Sequence, residues 1–208
     1  SSSARLAAGA WPLPATPCMP SYRQRERRRD ERLRAAVAAL PPGDALPVVV
    51  DRFTSELVQP VARLHREHLG MDYGREVFER AAAAAPWAKV ALWSGLVVGA
   101  VICSESGHGQ DGPSLHVRSL VVCAPRRGVG TRLLRAVLRE AEARGIKRSS
   151  LHVHVRNEAA IGLYRSLGYK VEGTLLGYYI ASVGAGRLEE PPDAYLMVRG
   201  AGAPAAGA

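Results

Sequence analysis

At 208 residues, 47% of them hydrophobic, the chain is long enough for one domain with a sizeable core and too short for two generous ones. The densest apolar run, Leu96 to Cys103, is strand-sized and contains a glycine, which argues against a membrane span. A net charge of +9 points to an anionic ligand, a ribosome or nucleic acid in general, with no sequence-specific nucleic-acid partner expected.

Residues 1–44 form a basic, low-complexity leader with eight arginines and four acids, a net +4. Residues 1–22 have no hydrophobic period and are expected to lack fixed structure, whereas Arg23 to Leu40 reads as a charged helix stopped at Pro41-Pro42-Gly43. The Ser, Ala and Arg bias is that of a solvated tail or of an organelle transit peptide. A cytoplasmic location is the expectation, with organelle import kept as the other reading.

From Ala45 the pattern changes. ALPVVVDRF predicts a first strand. Thr54 or Ser55 is placed to cap a helix carrying Leu57, Val61, Leu64 and Leu69. The apolar turn LGMDYG leads to a second helix, Arg75 to Ala85, closed by Pro86. An apolar turn between two helices is either a packing plug or a pocket wall. KVALW, Ser94-Gly95 and LVVGAVICSE read as a β-hairpin with a two-residue turn, followed by a strand from Ser114 to Cys123. Cys103 and Cys123 lie in apolar runs and are expected to be buried reduced thiols, with a nucleophilic Cys123 as the sharper alternative.

After that strand, Ala124 to Thr131 opens a helix with Leu133, Leu134, Val137, Leu138 and Ala141 on one face and a stop at Gly145. Gly128 and Gly130 let the backbone approach a ligand, and the N–H groups of the first turn favour a phosphate, with Arg126 and Arg127 beside them. No lysine followed by Ser or Thr is present, and Leu133 stands where a dinucleotide fingerprint needs its third glycine, so the turn is neither a P-loop nor that fingerprint. An ordinary tight strand-to-helix turn is the alternative.

Leu151 to Arg156 alternates, with His152, His154 and Arg156 opposite Leu151, Val153 and Val155; His116 and Arg118 share a face of the earlier strand. The spacing His152, His154 also suits a metal, but no third ligand or supporting acid accompanies it, and no metal is expected. Surface histidines are one reading and general-base chemistry at a cleft is another. Asn157 is placed to cap a helix, Glu158 to Leu167, whose apolar face carries Ile161, Tyr164 and Leu167.

The run VVCAPRRGVGTRLL, with LHVxxxNEAAIxLYxxLGY one helix later, resembles the GCN5-related N-acetyltransferase (GNAT) superfamily. GYYIAS and PPDAYLMV at the end of the chain are similar to the paired-tyrosine hairpin and last strand of N-terminal acetyltransferases of the NatE and NatF type, which act on N-termini that retain methionine. The resemblance implies an α/β (α+β) GNAT fold over residues 45–200: a mixed central sheet, helices on both faces, and parallel strands that splay to hold acetyl-CoA. Residues 201–208 are left as a tail.

It further implies that the backbones of Val121, Val122 and Cys123 meet the pantetheine, that Arg126, Arg127, Gly128, Val129, Gly130 and Thr131 hold the pyrophosphate, and that Asn157 and Tyr164 contact the cofactor. Leu69, Gly70, Met71 and Tyr73 would form one wall of the substrate site, with Tyr178 and Tyr179 opposite. The catalytic set would be His152, His116 and Tyr164. In the subgroup a tyrosine occupies the place of His116, so His152 and His116 are both candidates for the base. The phosphate turn also differs, with Pro125 where Arg or Gln is usual and about two residues fewer.

The implied activity is Nα-acetylation of protein N-termini by direct attack in a ternary complex, with a histidine acting through water and with ribosome or auxiliary-subunit association. Acetylation of lysine or small amines is the enzymatic alternative. A non-catalytic acetyl-CoA-binding or ribosome-associated module is the alternative of another class.

Overall fold

A computed structural model of the chain describes residues 28, 31–33, 35–37, 39–41, 45–70, 73–106, 112–180 and 191–200. The expectations for residues 1–27 and 201–208 and for Met71 lie outside the described residues. The chain divides into two units, residues 1–40 and 41–208. In the first, residues 28, 31–33 and 35–37 are helical, and the Ala39 N–H donates to the Ala35 carbonyl at 3.0 Å.

The second unit opens with β1 (Val49–Arg52), a single 3₁₀ turn (Ser55–Leu57), α1 (Val58–Leu69) and α2 (Gly74–Ala83). Then come β2 (Ala88–Trp93), β3 (Leu96–Ser106), β4 (Ser114–Val122), α3 (Val129–Ala143), β5 (Arg148–His154), α4 (Glu158–Ser166), β6 (Lys170–Leu175) and β7 (Ala194–Arg199). Among the described residues the seven strands make one sheet in the order β1-β2-β3-β4-β5-β7-β6, antiparallel except for the β4–β5 pair.

Alternation along the central strands sends side chains to two cores. Val90, Ala100, Ile102 and Val121 join Val58, Val61, Leu64 and Phe78 beneath α1 and α2. On the other face Gly99 lies so close to α3 that a Cβ there would stand 2.9 Å from Val129 Cγ1 and 3.0 Å from Leu133 Cδ1. Helices therefore cover both faces, and each fully buried Leu or Val contributes about 1.5–3 kcal/mol of transfer free energy. Among the described residues no helix is long and apolar enough to cross a membrane.

Two register features shape the centre of the sheet. β3 pairs Ile102 with Ser119 but Cys103 with Val117, so Arg118 is an extra residue in β4, a β-bulge. β4 and β5 then pair only from Ser114↔Arg148 to Val117↔Leu151. Beyond Val117 the two parallel strands part, and residues 118–122 have no strand partner on that side among the described residues.

Several boundaries differ from those the sequence suggests. Helix α1 begins at Val58 because residues 55–57 form the 3₁₀ turn, and Thr54 makes no capping bond. Leu69, placed on the apolar stripe by spacing, is 40% exposed at the helix end. Strand β5 starts at Arg148 and ends at His154, so Arg156 lies beyond it. Cys103 is buried, but Cys123 is only half-buried, since it follows the last residue of β4 where the strand leaves its neighbour.

Candidate active site

The histidines meet at the point where β4 and β5 part: His116 is opposite Ser150 in the paired stretch, and His152 is the first residue of β5 beyond it. His116 and His152 stand on adjacent parallel strands with ring centroids 5.2 Å apart. His116 Nδ1 meets Ser150 Oγ at 3.0 Å, and His152 Nδ1 meets Tyr178 Oη at 3.1 Å with the two rings 4.6 Å apart. Neither Nε2 has a hydrogen bond among the described residues, so each ring keeps one nitrogen for another partner when its Nδ1 carries the proton. Burial lowers the pKa of both; for His116 the neighbouring His152 and the Arg118 charge lower it further. Both imidazoles are thus held in the neutral, proton-accepting form near neutral pH.

Tyr178 and Tyr179 follow β6 in a turn pinned at two points: Gly177 N–H donates to Asp193 Oδ1 at 2.8 Å, and Tyr179 N–H donates to the Pro192 carbonyl at 2.9 Å. Tyr179 stacks on His154 with centroids 5.4 Å apart, and burial pushes its phenol up to about 12. Tyr73, between α1 and α2, lies across from this turn. Burial and the neighbouring Tyr178 raise its pKa, and Arg118 pulls it down. Tyr73 therefore lies within electrostatic reach of both Tyr178 and Tyr179.

Behind Tyr73 lies a buried histidine that belongs to no motif of the sequence. His65 is fully buried, with Nδ1 donating to the Val61 carbonyl at 2.9 Å and Nε2 accepting from Ser119 Oγ at 2.8 Å. Its ring meets Phe78 edge-on at 4.9 Å and Tyr73 at 6.2 Å. Burial lowers its pKa, which agrees with the neutral tautomer these bonds require. The bond ties α1 to the bulge of β4. The signal was available: His65 falls four residues after Val61 on the buried stripe, where a polar group needs a partner.

On the far side of the split sheet, the 126–131 turn is built mainly of backbone. Gly128 has φ +75° at the N-cap of α3, and the first bond of the helix runs from Arg132 N–H to the Gly128 carbonyl at 3.0 Å. The N–H groups of Val129, Gly130 and Thr131 precede that ladder. Gly130 fits under Leu163 of α4, where a Cβ would stand 3.1 Å from Leu163 Cδ2. This is the arrangement that a pyrophosphate fits: donors at a helix start beside a strand edge left open. Val121 points into the core, so only its backbone borders the gap, and Val122 and Cys123 are half-buried at the strand end.

The arginines behave differently from the expectation. Arg126 is exposed with φ +61°, while the Arg127 guanidinium donates to the Pro41 carbonyl and its own carbonyl accepts from Leu46 N–H at 3.0 Å. The Arg127 side chain is thus committed to the segment leading into β1. Asn157 accepts from Ala160 N–H at 3.1 Å and caps α4, which occupies its carbonyl oxygen. Tyr164 is buried against Tyr169 with centroids 5.9 Å apart, and burial, followed by neighbouring tyrosines, raises its pKa strongly. Among the described residues no group of three His, Cys, Asp or Glu side chains is placed to hold a metal.

The acetyltransferase (GNAT) family matches residues 53–169. The chain is 29% identical over 156 residues to N-alpha-acetyltransferase 50 of Danio rerio, covering 74% of this chain and 88% of that protein. It is 26% identical over 147 residues to the probable N-acetyltransferase san of Drosophila melanogaster, covering 69% and 76%. The structure superposes on Arabidopsis thaliana Naa50 in complex with the bisubstrate analogue CoA-Ac-MVNAL with a TM-score of 0.63 and 26% identity, over 73% of this chain and 97% of that one. With its seven-stranded mixed sheet parted between β4 and β5, the chain belongs to the acetyltransferase (GNAT) family and is an acetyl-CoA-dependent N-acetyltransferase.

Proposed function

We propose that the protein acetylates the α-amino group of protein N-termini, with a preference for those that retain methionine, and that residues 45–200 are its catalytic domain. The observation that carries this reading is the histidine pair, His116 and His152, bordered by Tyr178 packed against His152, with Tyr73 and Tyr179 close to Tyr178. Such an arrangement suits a chain end. The likeness to two N-alpha-acetyltransferases supports it, one of them bound to an analogue whose peptide part begins with methionine.

The proton economy agrees. An α-ammonium has a pKa near 8 and a lysine near 10.4, a difference worth about 3.3 kcal/mol of deprotonation at neutral pH. A neutral imidazole acting through water is matched to the smaller task. Either Nε2, on His152 or on His116, accepts the proton. Acetyl-CoA supplies the acyl group as an activated thioester, held by the N–H groups of Val129 to Thr131 and by the open backbone edge of residues 120–123. That edge also presents N–H donors where charge develops on the carbonyl oxygen. Tyr164, kept protonated by burial, is the proton source for the leaving thiolate, and Asn157 fixes the start of the helix that carries it.

The test is a set of initial rates with acetyl-CoA and peptides beginning Met-Leu, Met-Lys and Ser. Turnover of the methionine peptides above the serine peptide is expected. Turnover confined to free lysine or small amines would contradict the reading.

A further inference from the structure

The bulge in β4 has a consequence for which chain ends the site accepts. A bulge turns two consecutive side chains toward the same side of the sheet and re-aims the extra one. Ser119 is held toward α1 by its bond to His65, which fixes the local backbone, and Arg118 is the extra residue beside it. Arg118 is also the first residue past the last β4–β5 pair, at the point where the strands part, two residues from His116. Its side chain is exposed, and its charge acts on Tyr73 across the mouth and on His116 within it. Among the described residues Arg118 forms no ion pair, whereas Arg75, Lys89, Arg144, Arg148 and Arg199 each have an acidic partner. A guanidinium at the rim of a peptide site is placed to take a carboxylate, by a charge-assisted and often bidentate bond.

We propose that Arg118 is a specificity-determining residue that selects substrates carrying an acidic side chain immediately after the first residue. The inference rests on the α-amine reading above, because only a peptide with its amine at the histidines brings its next side chain to the strand parting. A lysine in that place meets a like charge and is disfavoured. Among the described residues the titratable groups that its charge acts on are His116 and Tyr73, and neither is an anion at pH 7.

The test compares kcat/KM for peptides that begin Met-Glu, Met-Gln and Met-Lys and are otherwise identical, using the full chain and its Arg118→Gln and Arg118→Glu variants. A ratio taken within one variant cancels any loss of folded enzyme. The wild type should favour Met-Glu over Met-Gln by roughly fivefold at low salt, the size of a partly exposed ion pair, and the preference should fade as salt rises. Arg118→Gln should level the two, and Arg118→Glu should favour Met-Lys over Met-Glu. Ratios that are the same in all three proteins overturn the role of Arg118 while leaving α-amine acetylation standing. Absence of turnover on every peptide overturns the α-amine reading and the role of Arg118 with it.

Discussion

The two sides of the parted sheet are made of different material. The proposed amine side is built of side chains: His116, His152, Tyr73 and Tyr178, with His116 bonded to Ser150 and Tyr178 carried on a turn tied to Pro192 and Asp193. On the acyl side it falls to backbone: the N–H groups entering α3 and the free edge of β4, while Arg127 is turned away to Pro41. Under the proposed mechanism, residue identity governs turnover on one side, whereas backbone conformation governs cofactor affinity on the other. Substitutions should therefore separate kcat from the KM for acetyl-CoA according to side.

The largest effect should come from the histidines. Replacing the one that accepts the proton, His152→Ala or His116→Ala, should lower kcat by ~100-fold or more with little change in the KM for acetyl-CoA, as steady-state kinetics will report. Next in size is the turn. Gly128 adopts the left-handed region at φ +75°, so Gly128→Val strains the backbone by about 1–2 kcal/mol or more. The expected reading is a raised KM for acetyl-CoA with kcat nearly kept. Equal losses in kcat from both changes would erase the distinction between the two sides.

The pH profile sharpens it further. Burial holds His116 and His152 below the ordinary 6.5, so the acid limb of kcat/KM should lie below 6.5. Arg118 depresses His116, and Arg118→Gln should move that limb upward if His116 is the base and leave it in place if His152 is. The same lowering makes stability fall with acid: the unfolded chain binds these protons near 6.5 and the fold resists them, so stability is lost as pH drops below 6.5. The smallest effect belongs to Arg127→Ala, which removes an exposed bond to Pro41 and should change the KM for acetyl-CoA by no more than about twofold.

Local signals in the sequence reached the elements whose chemistry is local. The two-residue hairpin at Ser94-Gly95 was legible because both residues take positive φ, 50° and 74°, which that turn demands. The α3 stripe was legible because Leu133, Leu134, Val137, Leu138 and Ala141 recur at helical spacing, and all are buried. The cap at Asn157 was legible for the same kind of reason. What escaped depends on how distant segments meet. The bulge at Arg118 is a register shift between β3 and β4, which neither strand announces alone. The early start of β5 rests on pairing with two distant strands, Arg148 with Ser114 of β4 and Ser149 with Arg199 of β7. His65 is a site residue only because Ser119, 54 positions later, comes to meet it. That the Arg127 guanidinium meets the Pro41 carbonyl, 86 positions earlier, is likewise invisible to either segment alone.

The central claim is that the histidine pair serves an α-amine at a chain end, and one competition measures it. A peptide that begins Met-Leu and carries an internal lysine is incubated with the full chain and acetyl-CoA, and the product is mapped by fragmentation mass spectrometry. The account predicts the acetyl group on the α-amine, with His152→Ala and His116→Ala together abolishing it. Acetyl found on the lysine side chain with the α-amine untouched would contradict it.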